Sequence, residues 1–159
     1  MNFLQTMAEE IIVRPMTAGD YDQVFALWKS IHGMGIRGMD DTRQGITRFL
    51  QRNPGLSVVA QLPDGGIAGT ILAGHDGRQA CFYHVCVKEE YRKLGVAQMM
   101  VDAAVKAVKA ESINRIYLIA FKRNKGGNRF WQSLGWQFRD ERNYYELYLS
   151  DENDTVFNP

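Results

Sequence analysis

Between residues 79 and 110 the hydrophobic pattern changes from alternation to a helical repeat, and the change falls on one glycine. Gln79 to Val87 reads as an apolar strand, and Val96 to Ala110, rich in Ala, Val and Met, as a long helix buried on much of its surface. An acidic and aromatic linker and then Arg92-Lys93-Leu94-Gly95 join them. A helix start exposes unpaired N–H groups and the positive end of the helix dipole. With Gly95 there and small Ala97 after it, an anion can come close to the backbone, and Arg92 and Lys93 add positive charge. This is the chemistry of a pyrophosphate cradle. It lacks the G-x-x-x-x-G-K-S/T of a nucleotide P-loop and the G-x-G-x-x-G of a dinucleotide site. For the hexapeptide alone, a helix-starting glycine beside solvated cations is the simpler account.

The remaining pattern is of the same mixed kind. Ile11 to Arg14 reads as a strand stopped by Pro15, and Thr17 with Asp20 as a capping pair for a helix with Tyr21, Val24, Phe25 and Trp28 on one face. Gly33 to Gly38 reads as a flexible loop, and Asp41 to Arg52 as a second helix ended by Asn53-Pro54-Gly55. Strands follow at Leu56–Gln61 and Ile67–Ala73, with turns at Pro63–Gly66 and Asp76-Gly77. After the long helix, Arg115 to Phe121 reads as a buried strand, Asn128 to Leu134 as a helix stopped by Gly135, and 136–139 and 143–149 as two closing strands. Residues 1–150 are expected to form one domain and 151–159 a polar tail. The order β-α-α-β-β-β-α-β-α-β-β implies an α/β fold, a mixed sheet with helices on both faces.

The chain has 159 residues, enough for one domain, and 45% are apolar. With 19 Lys and Arg against 18 Asp and Glu, it lacks the basic excess of a nucleic-acid binder, and no nucleic-acid partner is expected. No apolar run approaches a membrane span and no secretory signal is visible, so a cytoplasmic protein without a membrane partner is expected. Cys81 and Cys86 are five apart, which on a regular strand puts them on opposite faces as unpaired, buried thiols. With His84 they match no common zinc spacing, and no metal is expected.

Val87-Lys88-Glu89-Glu90-Tyr91-Arg92-Lys93-Leu94-Gly95-Val96-Ala97 resembles motif A of the GNAT N-acetyltransferases, with Glu89 at the usual Pro and Ala97 where a second Gly is common. Asn124 through Phe130-Trp131-Gln132-Ser133-Leu134-Gly135-Trp136 resembles motif B, with Gly127 at the usual Ala, Trp131 at the usual Tyr and Trp136 at the usual Phe. The resemblance spans about Ile11 to Leu149 and is nearest the bacterial ribosomal-protein-alanine-acetyltransferase-like branch. It implies a single-domain GNAT fold with about seven strands and about four helices, and acetyl-CoA as co-substrate in a V-shaped splay between central strands. It implies that the backbone of Val85, Cys86 and Val87 bonds the pantetheine arm, with an N–H near Val85 facing the thioester oxygen. Arg92, Lys93, Leu94, Gly95, Val96, Ala97 and Gln98 would hold the pyrophosphate, while Asn124 and Trp131 would line the arm. The acceptor would be an amine-bearing small molecule or a protein N-terminus, and the resemblance also allows a homodimer.

An alkyl ammonium has a pKa of about 10, so a base must take its proton. His84, three residues before Val87, is the candidate, with a packed strand histidine as the equal alternative; Tyr83, beside it, should point to the other face. The family's acid is often a tyrosine where this chain has Trp131, whose indole cannot serve; Tyr144 or Tyr145 would substitute. A thiol with a pKa near 8.5 also leaves fairly well unaided. Cys86 is placed to present backbone, which favours direct attack in a ternary complex over an acyl-cysteine. Asp40-Asp41 read as helix N-caps, or as an attractor for a cationic amine, beside a wall of Met34, Ile36 and Met39. His32 reads as a helix C-cap and His75 as turn chemistry. Trp131 at the tyrosine position keeps open a CoA-binding sensing module without catalysis, and the same fold could serve as an interaction domain.

Overall fold

The computed structural model describes residues 2–159. The elements run α1 Phe3–Glu9, β1 Ile12–Pro15, α2 Tyr21–Ser30, β2 Gly35–Arg37, α3 Arg43–Arg52, β3 Val58–Gln61 and β4 Ile67–His75. They continue with β5 Ala80–Val87, α4 Val96–Ala110, β6 Ile116–Tyr117, α5 Lys125–Ser133 and β7 Thr155–Phe157. The main sheet has the order β1-β3-β4-β5-β6. Its first three pairings are antiparallel and β5–β6 is parallel, which the α4 crossover makes possible. The described residues therefore form five strands in one sheet and two in another, with five α-helices, in place of one seven-stranded sheet with four helices.

Alternation along the strands sends side chains into two layers. Val58, Ala60, Ala68, Ile71 and Phe82 meet the buried face of α4, where Val96, Met100, Ala104 and Val108 recur every four residues. Each large apolar side chain withdrawn there contributes about 1.5–3 kcal/mol. Val59, Leu72 and Cys86 meet Val24, Leu27 and Trp28 of α2 and Ile46 of α3. Gly69 allows the sheet to close on α4, since a Cβ there would sit 2.7 Å from Met100 Cε and 2.8 Å from the Cys86 carbonyl oxygen.

Five local readings are corrected. Residues 2–10 carry a helix absent from the sequence reading: Asn2 and Gln5 cap each other reciprocally, and Ala8, Leu4 and Met7 pack on the core. The stretch read as a flexible loop contains β2, and 151–159, read as a tail, supplies its partner β7. Asn158 Nδ2 donates to the carbonyls of Trp28 and Ile31, satisfying the α2 terminus in place of His32, which is exposed. The segment 115–121 forms a ladder only at Ile116–Tyr117 and lies at the edge, with Ile119 and Phe121 exposed.

The two closing strands are absent. After Trp136 the chain leaves the core through the charged run Arg139-Asp140-Glu141-Arg142. Among the described residues no backbone hydrogen bond joins 137–149 to another element, and Leu147 and Leu149 are 82% and 93% exposed. Alternation marked a strand-like stretch there, but a ladder also needs a partner in register.

Candidate active site

The centre of the candidate site is a bulge in β5. The ladder runs Thr70↔Cys86 and then Leu72↔Tyr83, so two steps along β4 match three along β5. His84 takes up the extra residue with a φ of 47°, a left-handed conformation uncommon for a side-chain-bearing residue. Its carbonyl accepts a hydrogen bond from Thr70 Oγ1 at 2.7 Å, and Thr70 Oγ1 accepts one from Trp28 Nε1 at 2.9 Å. Trp28 and Thr70 are fully buried, so β5 is held in this shape by a dry polar contact.

The slip in phase overturns two readings made from regular alternation. Tyr83 and His84 face the same layer: Tyr83 meets Phe49 of α3 edge-on at 6.0 Å, and His84 lies 4.7 Å from Trp28 of α2. Cys86 packs in the Trp28 layer and Cys81 lies beside Tyr83, so the two share that side, both buried and free. Burial pushes the Cys86 thiol up to about 11, although Thr70 opposes the shift, so it stays protonated at neutral pH.

His84 Nε2 lies 2.8 Å from Asp41 Oδ1. Asp41 is 4% exposed. Its Oδ2 accepts from the Arg37 N–H at 2.7 Å, and its backbone carbonyl accepts from the Tyr21 hydroxyl at 2.8 Å. Asp41 is not a helix cap. Thr42 caps α3, its Oγ1 accepting from the Gly45 N–H, while Asp40 receives an amide bond from Asn153. A separation of 43 residues joins Asp41 to His84, and no local pattern signals it.

The α4 helix begins where the sequence reading starts it. Gly95 is the N-cap with φ 84°, Lys93 is also left-handed at 62°, and no side chain caps the helix. A Cβ built on Gly95 would meet nothing within 4 Å, so no neighbouring atom crowds the backbone at this residue. Arg92 Nε donates to the Val87 carbonyl at 3.1 Å, tying the guanidinium to the end of β5 and leaving its terminal nitrogens available. Leu94 and Val96 pack inward, and Ala97 is half-buried beside exposed Gln98. On the β6 side, β5 is paired only at Ala80 and Cys81; from residue 82 through Val85, Cys86 and Val87 that edge has no ladder partner among the described residues.

The other candidates lie on α5, at its cap and in the stretch after it. Asn124 caps α5, its Oδ1 accepting from the Gly127 N–H at 3.0 Å. Trp131 stacks among Phe82, Phe130 and Trp136. Tyr144 and Tyr145 are in the exposed stretch; Tyr144 donates to Glu146 Oε2 at 2.8 Å, and that bond, with some burial, raises its pKa. The described residues contain no group of three acidic, His or Cys side chains placed for a metal, and no helix long and apolar enough to cross a membrane.

Comparison with known proteins gives the family. The model of the acetyltransferase (GNAT) family matches residues 22–136, and the chain belongs to that family. It is an acyl-CoA-dependent N-acetyltransferase. An acetyltransferase of Sodalis glossinidius is 26% identical over 128 residues, covering 80% of this chain and 88% of that one. An uncharacterized N-acetyltransferase of Yersinia pestis is 25% identical, covering 80% and 89%. Among solved structures, a GNAT acetyltransferase from Staphylococcus aureus superposes with a TM-score of 0.71 at 15% identity, covering 92% and 96%. An aminoglycoside N-acetyltransferase in complex with CoA gives 0.66 at 16%, covering 86% and 94%; both are similar in fold.

Proposed function

We propose that this enzyme transfers the acetyl group of acetyl-CoA to a primary amine by direct attack in a ternary complex, with His84 as the proton acceptor. The observation that carries the reading is His84 itself, a strained, Asp41-bonded imidazole on the strand whose edge toward β6 lies open. The residues present fit the co-substrate. Uncapped amides at Gly95, with room above them and Arg92 and Lys93 alongside, suit a diphosphate. The open edge of β5 at Val85–Val87 suits an extended amide-bearing arm lying as an added strand in a V-shaped gap. Asn124 and Trp131 would border that arm.

Bound acetyl-CoA supplies the thioester carbonyl that the amine attacks. His84 takes the ammonium proton, directly or through water, since about one alkyl amine in a thousand is neutral at pH 7. An N–H near Val85 would donate to the thioester oxygen as charge develops on it. Tyr144, still a phenol at neutral pH, would give its proton to the departing thiolate and regain one from the newly acylated nitrogen, with Tyr145 as the second choice. The protonated, buried Cys86 is unsuited to an acyl-enzyme.

Placement in the ribosomal-protein-alanine-acetyltransferase-like branch would make a protein N-terminus the acceptor. The test is thiol release from acetyl-CoA over a panel of N-terminal peptides, amino acids, small amines and aminoglycosides, with CoA calorimetry in parallel. Amine-dependent release with micromolar CoA binding is expected. Absence of CoA binding at high micromolar concentration would overturn the reading.

A further inference from the structure

Asp41 stands out as a buried carboxylate that the fold itself does not need as a cap. Thr42 caps α3 and Asp40 meets Asn153, so the Asp41 carboxylate is left to reach across to β5. We infer that Asp41 is a positioning residue that fixes His84 in the Nε2–H tautomer and so makes Nδ1 the basic atom. The inference rests on the proposal that His84 is the proton acceptor.

The argument is one of donors and acceptors. An ionised carboxylate only accepts, and a backbone N–H only donates. Arg37 N–H occupies Oδ2 at 2.7 Å, which leaves Oδ1 as the acceptor 2.8 Å from His84 Nε2. The proton on that line therefore belongs to the imidazole, and the free lone pair of the neutral ring is on Nδ1. Both partners are held in place. Tyr21 and Arg37 fix Asp41 from two elements, while Thr70 and Trp28 fix the backbone and the ring face of His84. The charged and titratable groups around the pair are Tyr21, with Arg43 over its ring and Asp22 paired to that Arg43, then Arg37, Asp40 and the protonated Cys86. Among the described residues no other acid bonds the imidazole.

Asp41→Asn makes the test specific. Arg37 N–H still needs an oxygen, so the amide NH2 is turned toward His84 and must meet a bare Nε2. The proton then moves to Nδ1, and the base is lost while the shape is kept. Nitrogen-15 NMR of the histidines in the wild-type protein, recorded on the neutral ring at the alkaline end of its titration, should show His84 as Nε2–H. Asp41→Asn should convert that signal to Nδ1–H and lower kcat at least about 100-fold, with calorimetric CoA affinity within twofold. A wild-type His84 in the Nδ1–H form overturns the inference, and this reading needs no variant to fold. Unchanged tautomer and kcat in Asp41→Asn also overturn it. Full activity in His84→Ala with the Nε2–H tautomer intact in the wild type would instead fault the choice of His84 as base and leave the tautomer assignment standing.

Discussion

Tyr83 and His84 are adjacent in the chain yet face the same side of the sheet, one against Phe49 and the other against Trp28. A regular strand cannot do this. The extra residue in β5 brings the imidazole within reach of Asp41, and Thr70 is the group that holds the bulge.

Thr70→Val tests that role. The methyl replaces a buried hydroxyl serving both Trp28 Nε1 and the His84 carbonyl, leaving two polar groups unsatisfied. Each costs about 1–3 kcal/mol, so urea unfolding should show a loss of about 2–6 kcal/mol. Turnover should fall with it. Native stability in this variant would mean that the bulge is set elsewhere.

Gly95→Val addresses the α4 entrance. The space beside Gly95 is open, so the cost comes from the backbone: a β-branched residue resists φ 84°. About 1–2 kcal/mol of strain, together with displaced first-turn amides, should weaken CoA binding at least about tenfold by calorimetry. Unchanged affinity would place the diphosphate away from this helix.

Cys86 should be a poor nucleophile. With its thiol near 11 against about 8.5 for an ordinary cysteine, the thiolate fraction at pH 8 is lower by about two orders of magnitude. Iodoacetamide labelling followed by mass spectrometry should be correspondingly slow and should accelerate as pH rises toward 11. Cys86→Ala should keep acetyl transfer. Loss of activity with an intact fold would reopen an acyl-cysteine route.

Acid should act through Asp20. Burial pushes its carboxyl up, but two bonds from Arg14, at 2.8 and 2.9 Å, and one from the Thr17 N–H outweigh that, and its pKa is lowered. The stabilisation is then fully present above the unfolded value of about 3.9 and is lost as pH falls through the lower folded value. Asp20→Asn should lower stability by about 1–3 kcal/mol at pH 7 and flatten the acid limb below pH 4, measured by thermal melts.

What the sequence disclosed was whatever depends on neighbours in the chain. The bounds of Val96–Ala110, the Gly95 cap and the Thr17–Asp20 pair follow from periodicity and capping chemistry, and the structure keeps them. The bulge carries no glycine or proline to mark it, so the facing of Tyr83, His84, Cys81 and Cys86 was read with the wrong phase. In the sequence Asp41 reads as a cap or as an amine attractor, because Thr42, the actual cap, is next to it. β7 is three residues long and exists because Gly35–Arg37 offers an edge 118 to 122 positions away. Alternation at 143–149 had the opposite outcome: a strand-like pattern without a ladder.

His84→Ala bears most directly on the mechanism. Steady-state acetyl transfer and CoA calorimetry on the same preparation should show kcat lowered about 10²- to 10⁴-fold with CoA affinity nearly unchanged. Wild-type turnover across the pH range in that variant would contradict His84 as the proton acceptor.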